Sequence, residues 1–108
     1  MASFDDFLNA LKDGLTQLVA QSLADYKNAA VRDGEAFLMK TRADLERWTG
    51  ELAQGQLSKE DFAWLVKGKK DLGEMEALKQ AGLTLVRLDQ FRTSLVNLVI
   101  GTASKVFL

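Results

Sequence analysis

Apolar side chains recur at steps of three and four residues through the first half of the chain. The series runs from Phe4 to Ala29 and resumes from Phe37 to Leu52, with polar side chains on the opposite side. This period is typical of an amphipathic α-helix. Ser3 precedes Asp6 by three residues, so its hydroxyl can cap the first turn. The pattern therefore predicts helix over residues 4–54.

The dipeptide Asp33-Gly34 is the weak point of this segment. An unbroken helix over residues 4–54 would be about 76 Å long, whereas a compact chain of this size has a radius of gyration of about 13 Å. We therefore expect either a break near residues 33–34 or a second subunit that covers the long helix. The pattern does not choose between them, because one glycine costs a helix only about 1 kcal/mol.

A sharper boundary follows at Gly55, in the sequence Gln54-Gly55-Gln56-Leu57. Ser58 is placed to cap a new helix, with Asp61 at its third position. We predict a chain reversal at residues 55–57 and a helix over residues 59–68. At Gly68 the helix either ends or continues in phase, and both alternatives stay open.

The last predicted helix covers residues 71–106 and has the widest apolar face. Because its polar strip is narrow, this helix must touch at least two neighbours. The face continues to the end of the chain, where large apolar side chains suggest that the terminus is covered. The candidate core or interface residues on this helix and tail are Leu85, Leu88, Phe91, Arg92, Leu95, Val99, Val106 and Phe107.

Arg92 falls within this apolar face, and Asp89 precedes it by three residues. Side chains at that spacing can meet, so the two residues are a candidate polar pair that sets helix register. Alternatives are an Arg92 side chain that reaches solvent, or an anion or ligand site inside a bundle.

Composition narrows the function classes. The chain contains no histidine and no cysteine, which removes imidazole catalysis, thiolate nucleophiles, disulfides and zinc or haem ligation through these residues. We expect no catalytic residues, no cofactor, no metal and no enzymatic activity.

The formal net charge of −1 argues against nucleic-acid binding. The longest weakly charged stretch, residues 94–108, is too short to cross a bilayer, which takes about 20 residues. An acidic first segment and zero cysteine favour a cytoplasmic protein.

Two further clusters have ordinary structural interpretations. Lys67, Lys69 and Lys70 surround Gly68 but lack the spacing of a phosphate-binding loop, so we interpret them as a solvated helix junction. Large aromatic residues at helical spacing usually belong to a core or an interface. The aromatics that could instead line a small pocket are Tyr26, Trp48, Phe62 and Trp64.

The sequence thus predicts one all-α domain over residues 1–108, either an antiparallel helical hairpin or an irregular bundle. We expect a non-catalytic interaction or structural protein that self-associates as a homodimer and docks onto a protein partner. Two antiparallel hairpins would complete a four-helix bundle. The alternative is a bundle that binds a small ligand or a lipid on the wide face of its C-terminal helix.

Overall fold

The computed structural model describes residues 2–108. This part of the chain contains five α-helices, two short 3-10 turns and no β-strand, which confirms the all-α prediction. The helices are α1 (Phe4–Ser22), α2 (Lys27–Ala53), α3 (Lys59–Lys67), α4 (Glu76–Gln80) and α5 (Leu85–Phe107), and the 3-10 turns are Ala24–Tyr26 and Lys70–Leu72.

The predicted helix starts at Ser3 and Ser58 are confirmed. The backbone N–H of Asp6 donates to the Ser3 hydroxyl at 3.1 Å, and the Asp6 carboxylate accepts from the Ser3 N–H at 3.0 Å. The Ser58 hydroxyl accepts from the Asp61 N–H at 3.0 Å. Between α2 and α3 the chain reverses through Gly55, whose φ of 75° suits a residue without a Cβ.

Neither alternative for residues 4–54 is found: α2 runs through residues 33–34 without a break, and the segment is not one continuous helix. The chain turns earlier, at residues 23–26, where Leu23 is buried and ends α1. Gly34 is needed for the packing of α2 against α1, and the chain does not reverse there. A Cβ at this position would lie 2.6 Å from Cδ1 of Leu15, so the glycine lets α1 and α2 approach closely.

The predicted helix over residues 71–106 is also wrong, because this region divides into a 3-10 turn, α4, a short loop and α5. Met75 and Gly82 take positive φ angles of 58° and 91° on either side of α4. The N–H of Leu83 donates to the carbonyl of Leu78 across the end of α4, and the Thr84 hydroxyl caps α5. The tertiary structure stabilises these turns by burying Met75, Leu78 and Leu83 in the core.

Helix α1 runs antiparallel to both α2 and α5. The Arg42 guanidinium lies over the Phe4 ring, while Gly34 meets Leu15 further along α1. Near the start of α1, Phe7 packs against Phe107 with ring centroids 5.6 Å apart, and further along α1 Gly14 meets Leu98. Helices α3 and α4 pack against α5 and α2, respectively, and complete one core. The arrangement is an irregular five-helix bundle measuring 42 × 23 × 19 Å.

Three polar residues are buried, and each is hydrogen-bonded within the chain. The hydroxyls of Thr41 and Thr49 donate to the carbonyls of Phe37 and Leu45, one turn earlier in α2. The third buried polar residue, Asp33, bonds to the backbone of α4. None of the helices within residues 2–108 combines the length and apolar character that crossing a membrane requires.

Candidate functional site

The wide apolar face of α5 lies inside the chain's own core. Leu88, Phe91, Leu95 and Val99 are each at most 3% exposed. Their neighbours are α1, α2 and α3 of the same chain. Leu85, in contrast, is 79% exposed, because α5 begins there and the chain inserts Leu83 into the core instead.

The C-terminal tail packs against the same core. Val106 and Phe107 are half-buried, and the Phe107 ring lies against Phe7. The last residue, Leu108, is 67% exposed. One chain thus provides the cover that the sequence pattern had suggested for this end of α5.

Asp89 and Arg92 do not pair with each other, contrary to the sequence prediction. Asp89 forms a salt bridge with Lys70, with 3.0 Å between Oδ1 and Nζ. The Arg92 guanidinium donates to the carbonyls of Gly73 and Glu74. Segment 70–74 lies over α5 and offers these partners, so both side chains attach it to the helix.

The structural role of Asp33 was missed by the sequence analysis. Its carboxylate oxygens accept hydrogen bonds from the N–H groups of Ala77 (3.1 Å) and Leu78 (2.8 Å). An anion at the N-terminus of a helix is stabilised by free N–H groups and by the helix dipole. The available signal was its position: Asp33 shares the apolar face of α2 with Ala30 and Phe37.

The four aromatic candidates do not form one pocket. Phe62 is buried in the core, and Tyr26 lies beneath the Arg87 guanidinium at 5.5 Å. Trp48 and Trp64, however, line the same groove between α2 and α3. Trp48 is only 7% exposed, whereas Trp64 is 74% exposed.

We call this feature the Trp48–Trp64 groove. It is open to solvent and has a volume of about 510 Å³. Its lining residues are Trp48, Trp64, Leu65, Lys67, Gly68 and Lys69. Two of the four aromatic candidates and two of the three lysines around Gly68 therefore meet at one place that the chain order alone did not predict.

The charges beside the groove form a small network. Arg47 and Lys69 each lie 5.9 Å from the centre of the Trp48 ring, within cation–π range. Asp44 connects them, with its carboxylate oxygens 3.3 Å from the Arg47 nitrogen and 3.2 Å from the Lys69 nitrogen. The network fixes the Trp48 side of the groove, while Trp64 projects from α3.

A second exposed apolar side chain, Met39, lies in a smaller groove between α1 and α2. That groove measures about 310 Å³ and mixes Lys12 and Arg42 with Glu35. Met39 is 78% exposed, so it matches Trp64 in exposure but not in surroundings. Within residues 2–108 there is no cluster of three acidic side chains that could hold a metal ion.

Comparison of the chain with models of known families, with characterised proteins and with solved structures finds no match. The function is therefore inferred from this chain's own residues.

Proposed function

We propose that this protein is a non-catalytic interaction protein that docks a protein partner at the Trp48–Trp64 groove. The observation that carries the proposal is the exposure of Trp64 beside a concave, partly apolar surface. Tryptophan is enriched among the residues that dominate binding energy in protein interfaces. Its large ring gains from the removal of water when a partner covers it.

The position of Trp64 on α3 supports a binding role over a packing role. Phe62 and Val66 anchor α3 to the core and are at most 2% exposed. Trp64 points away from that anchor, so the fold does not depend on its burial. A helix held by one face and presenting a large aromatic on another suits recognition.

The proposal includes a cytoplasmic location, which the absence of cysteine supports.

The proposal also includes self-association, but through a different surface from the α5 face that the sequence pattern indicated. Because the α5 face is buried within one chain, a dimer would use exposed apolar side chains outside the groove, such as Leu85 and Val86. The alternative of a ligand or lipid on the α5 face would require α1 to leave α5.

Replacement of Trp64 tests the docking proposal. We expect Trp64→Ala to abolish capture of the partner from native lysate after cross-linking, because the exposed ring supplies the main contact. Met39→Ala is the matched control, since it removes an equally exposed apolar side chain elsewhere. Quantitative mass spectrometry of the captured proteins compares the two variants with the unaltered chain.

Two results would contradict the proposal. One is a partner captured equally well by all three proteins, and the other is no partner captured by any of them. Thermal unfolding of each variant establishes that both substitutions leave the fold intact.

A further inference from the structure

We infer that the segment docked in the Trp48–Trp64 groove is an acidic peptide segment of the partner, with a large apolar side chain against Trp64 and carboxylates beside Lys67 and Lys69. This inference rests on the proposed docking function and adds the chemistry of the partner. It follows from the charges around the groove and from the position of Glu60.

The groove is a positive site on a negative chain. Both charged residues that line it, Lys67 and Lys69, are basic, and Arg47 lies beside Trp48. With Asp44 as the one acid of this network, the local charge is +2. Since the whole chain carries −1, the remainder carries −3. A partner segment with negative charge is therefore attracted to the side of the groove that carries Lys67 and Lys69.

Asp44 shows how a carboxylate is held at the groove. It forms salt bridges with Arg47 and Lys69 at ordinary distances, and its side chain is 27% exposed. Lys67, one turn after Trp64 on α3, is exposed. A partner carboxylate can therefore bind Lys67 and share Lys69 with Asp44. Exposed ion pairs of this kind contribute little energy each, so the Trp64 contact supplies most of the affinity and the charges select the partner.

Glu60 gives the bound segment a direction. It precedes Trp64 by four residues on α3, so both side chains lie on the same face of the helix. A partner carboxylate at that end would meet like charge. We therefore place the acidic residues of the partner at the Gly68 end of the groove and its apolar anchor at Trp64.

Selection of displayed random peptides on the 108-residue chain tests this inference. Peptides that bind the unaltered protein but not Trp64→Ala should be enriched in aspartate and glutamate next to a large apolar residue. Lys67→Glu should weaken a selected peptide by at least about fivefold, equivalent to ~1 kcal/mol. Lys12→Glu is the matched control, because it makes the same charge change at an exposed lysine on α1. Binding should also weaken as salt is raised.

The outcomes separate this inference from the docking function. Trp64-dependent peptides without an acidic bias would overturn the inference and leave the docking function standing. Absence of any Trp64-dependent peptide would overturn both. Trp64-dependent binding to phosphatidylserine vesicles, without binding to acidic peptides, would identify a membrane surface as the partner and overturn the inference.

Discussion

A single buried carboxylate connects two distant parts of the chain. Asp33 of α2 is 7% exposed, and its oxygens bond to the N–H groups of Ala77 and Leu78. A charge in this position needs full hydrogen bonding, because burial of an unpaired carboxylate is very costly. The first turn of α4 provides the donors, and α4 in turn lacks a side-chain cap of its own at Met75. Asp33 therefore acts as the N-terminal cap of α4, and α4 supplies the hydrogen bonds that the buried carboxylate needs.

We predict that Asp33→Ala lowers the free energy of unfolding by about 2 kcal/mol. The reason is that two backbone N–H groups at the start of α4 lose their acceptors in a largely buried place. Urea denaturation measures the change. Asp13→Ala, at an exposed position on α1, is the control and should change stability by less than about 0.5 kcal/mol. Equal losses for both variants would show that Asp33 does not act as the cap of α4.

At the scale of elements, close approach of helices decides where glycine is needed. In α2, Gly34 faces Leu15, which is 2% exposed and has little room to move. In α5, Gly101 has nothing within 4 Å of the place a Cβ would occupy. Glycine thus allows close packing at position 34 of α2, whereas at position 101 of α5 it only lowers helix propensity.

Alanine at these two positions should have opposite effects. Gly34→Ala should destabilise the protein by about 1 kcal/mol, since overpacking costs about 2 kcal/mol and helix propensity returns about 1 kcal/mol. Gly101→Ala should stabilise it by up to about 1 kcal/mol, because only the propensity gain applies. Thermal unfolding curves of the two variants and the unaltered protein measure the change in stability. A stabilised Gly34→Ala variant would mean that α1 and α2 adjust to the added methyl group without loss.

At the scale of the whole molecule, segment 68–84 and the C-terminal tail close the core within one chain. Lys40 and Arg92 hold the segment from α2 and α5, through a salt bridge to Glu74 and hydrogen bonds to backbone carbonyls. The tail is held by Phe107, whose ring packs on the fully buried Phe7. These contacts cover surface that the sequence pattern had assigned to a second subunit.

Deletion of residues 106–108 should therefore lower stability and leave the association state unchanged. We expect a loss of roughly 2 kcal/mol, from the apolar contacts of Phe107 and its aromatic pair. Deletion of Leu108 alone is the control, because this residue is 67% exposed. Thermal unfolding and light scattering measure the two quantities. A fall in mass from about twice 12.0 kDa to one chain would instead place the tail in a dimer interface.

The sequence by itself determined the helical class and the helix starts that depend on nearby residues. The caps at Ser3 and Ser58 and the turn at Gly55 involve contacts within a few positions, so their signals are local and readable. The apolar period also identified the buried face of α5 from Leu88 to Val99, because side chains three or four residues apart lie on the same side of a helix.

Only the tertiary structure decided where the long helical patterns stop and what covers their apolar faces. Asp33-Gly34 resembled a break but serves as a cap for α4 and a contact for Leu15, both with residues distant in the chain. The region from 71 to 84 kept enough helical phase to suggest one helix, yet buried Leu78 and Leu83 stabilise its turns. The Trp48–Trp64 groove depends on the packing of α3 beside α2. Period and propensity report which face of a helix is buried, whereas the identity of the covering surface depends on contacts that no local pattern encodes.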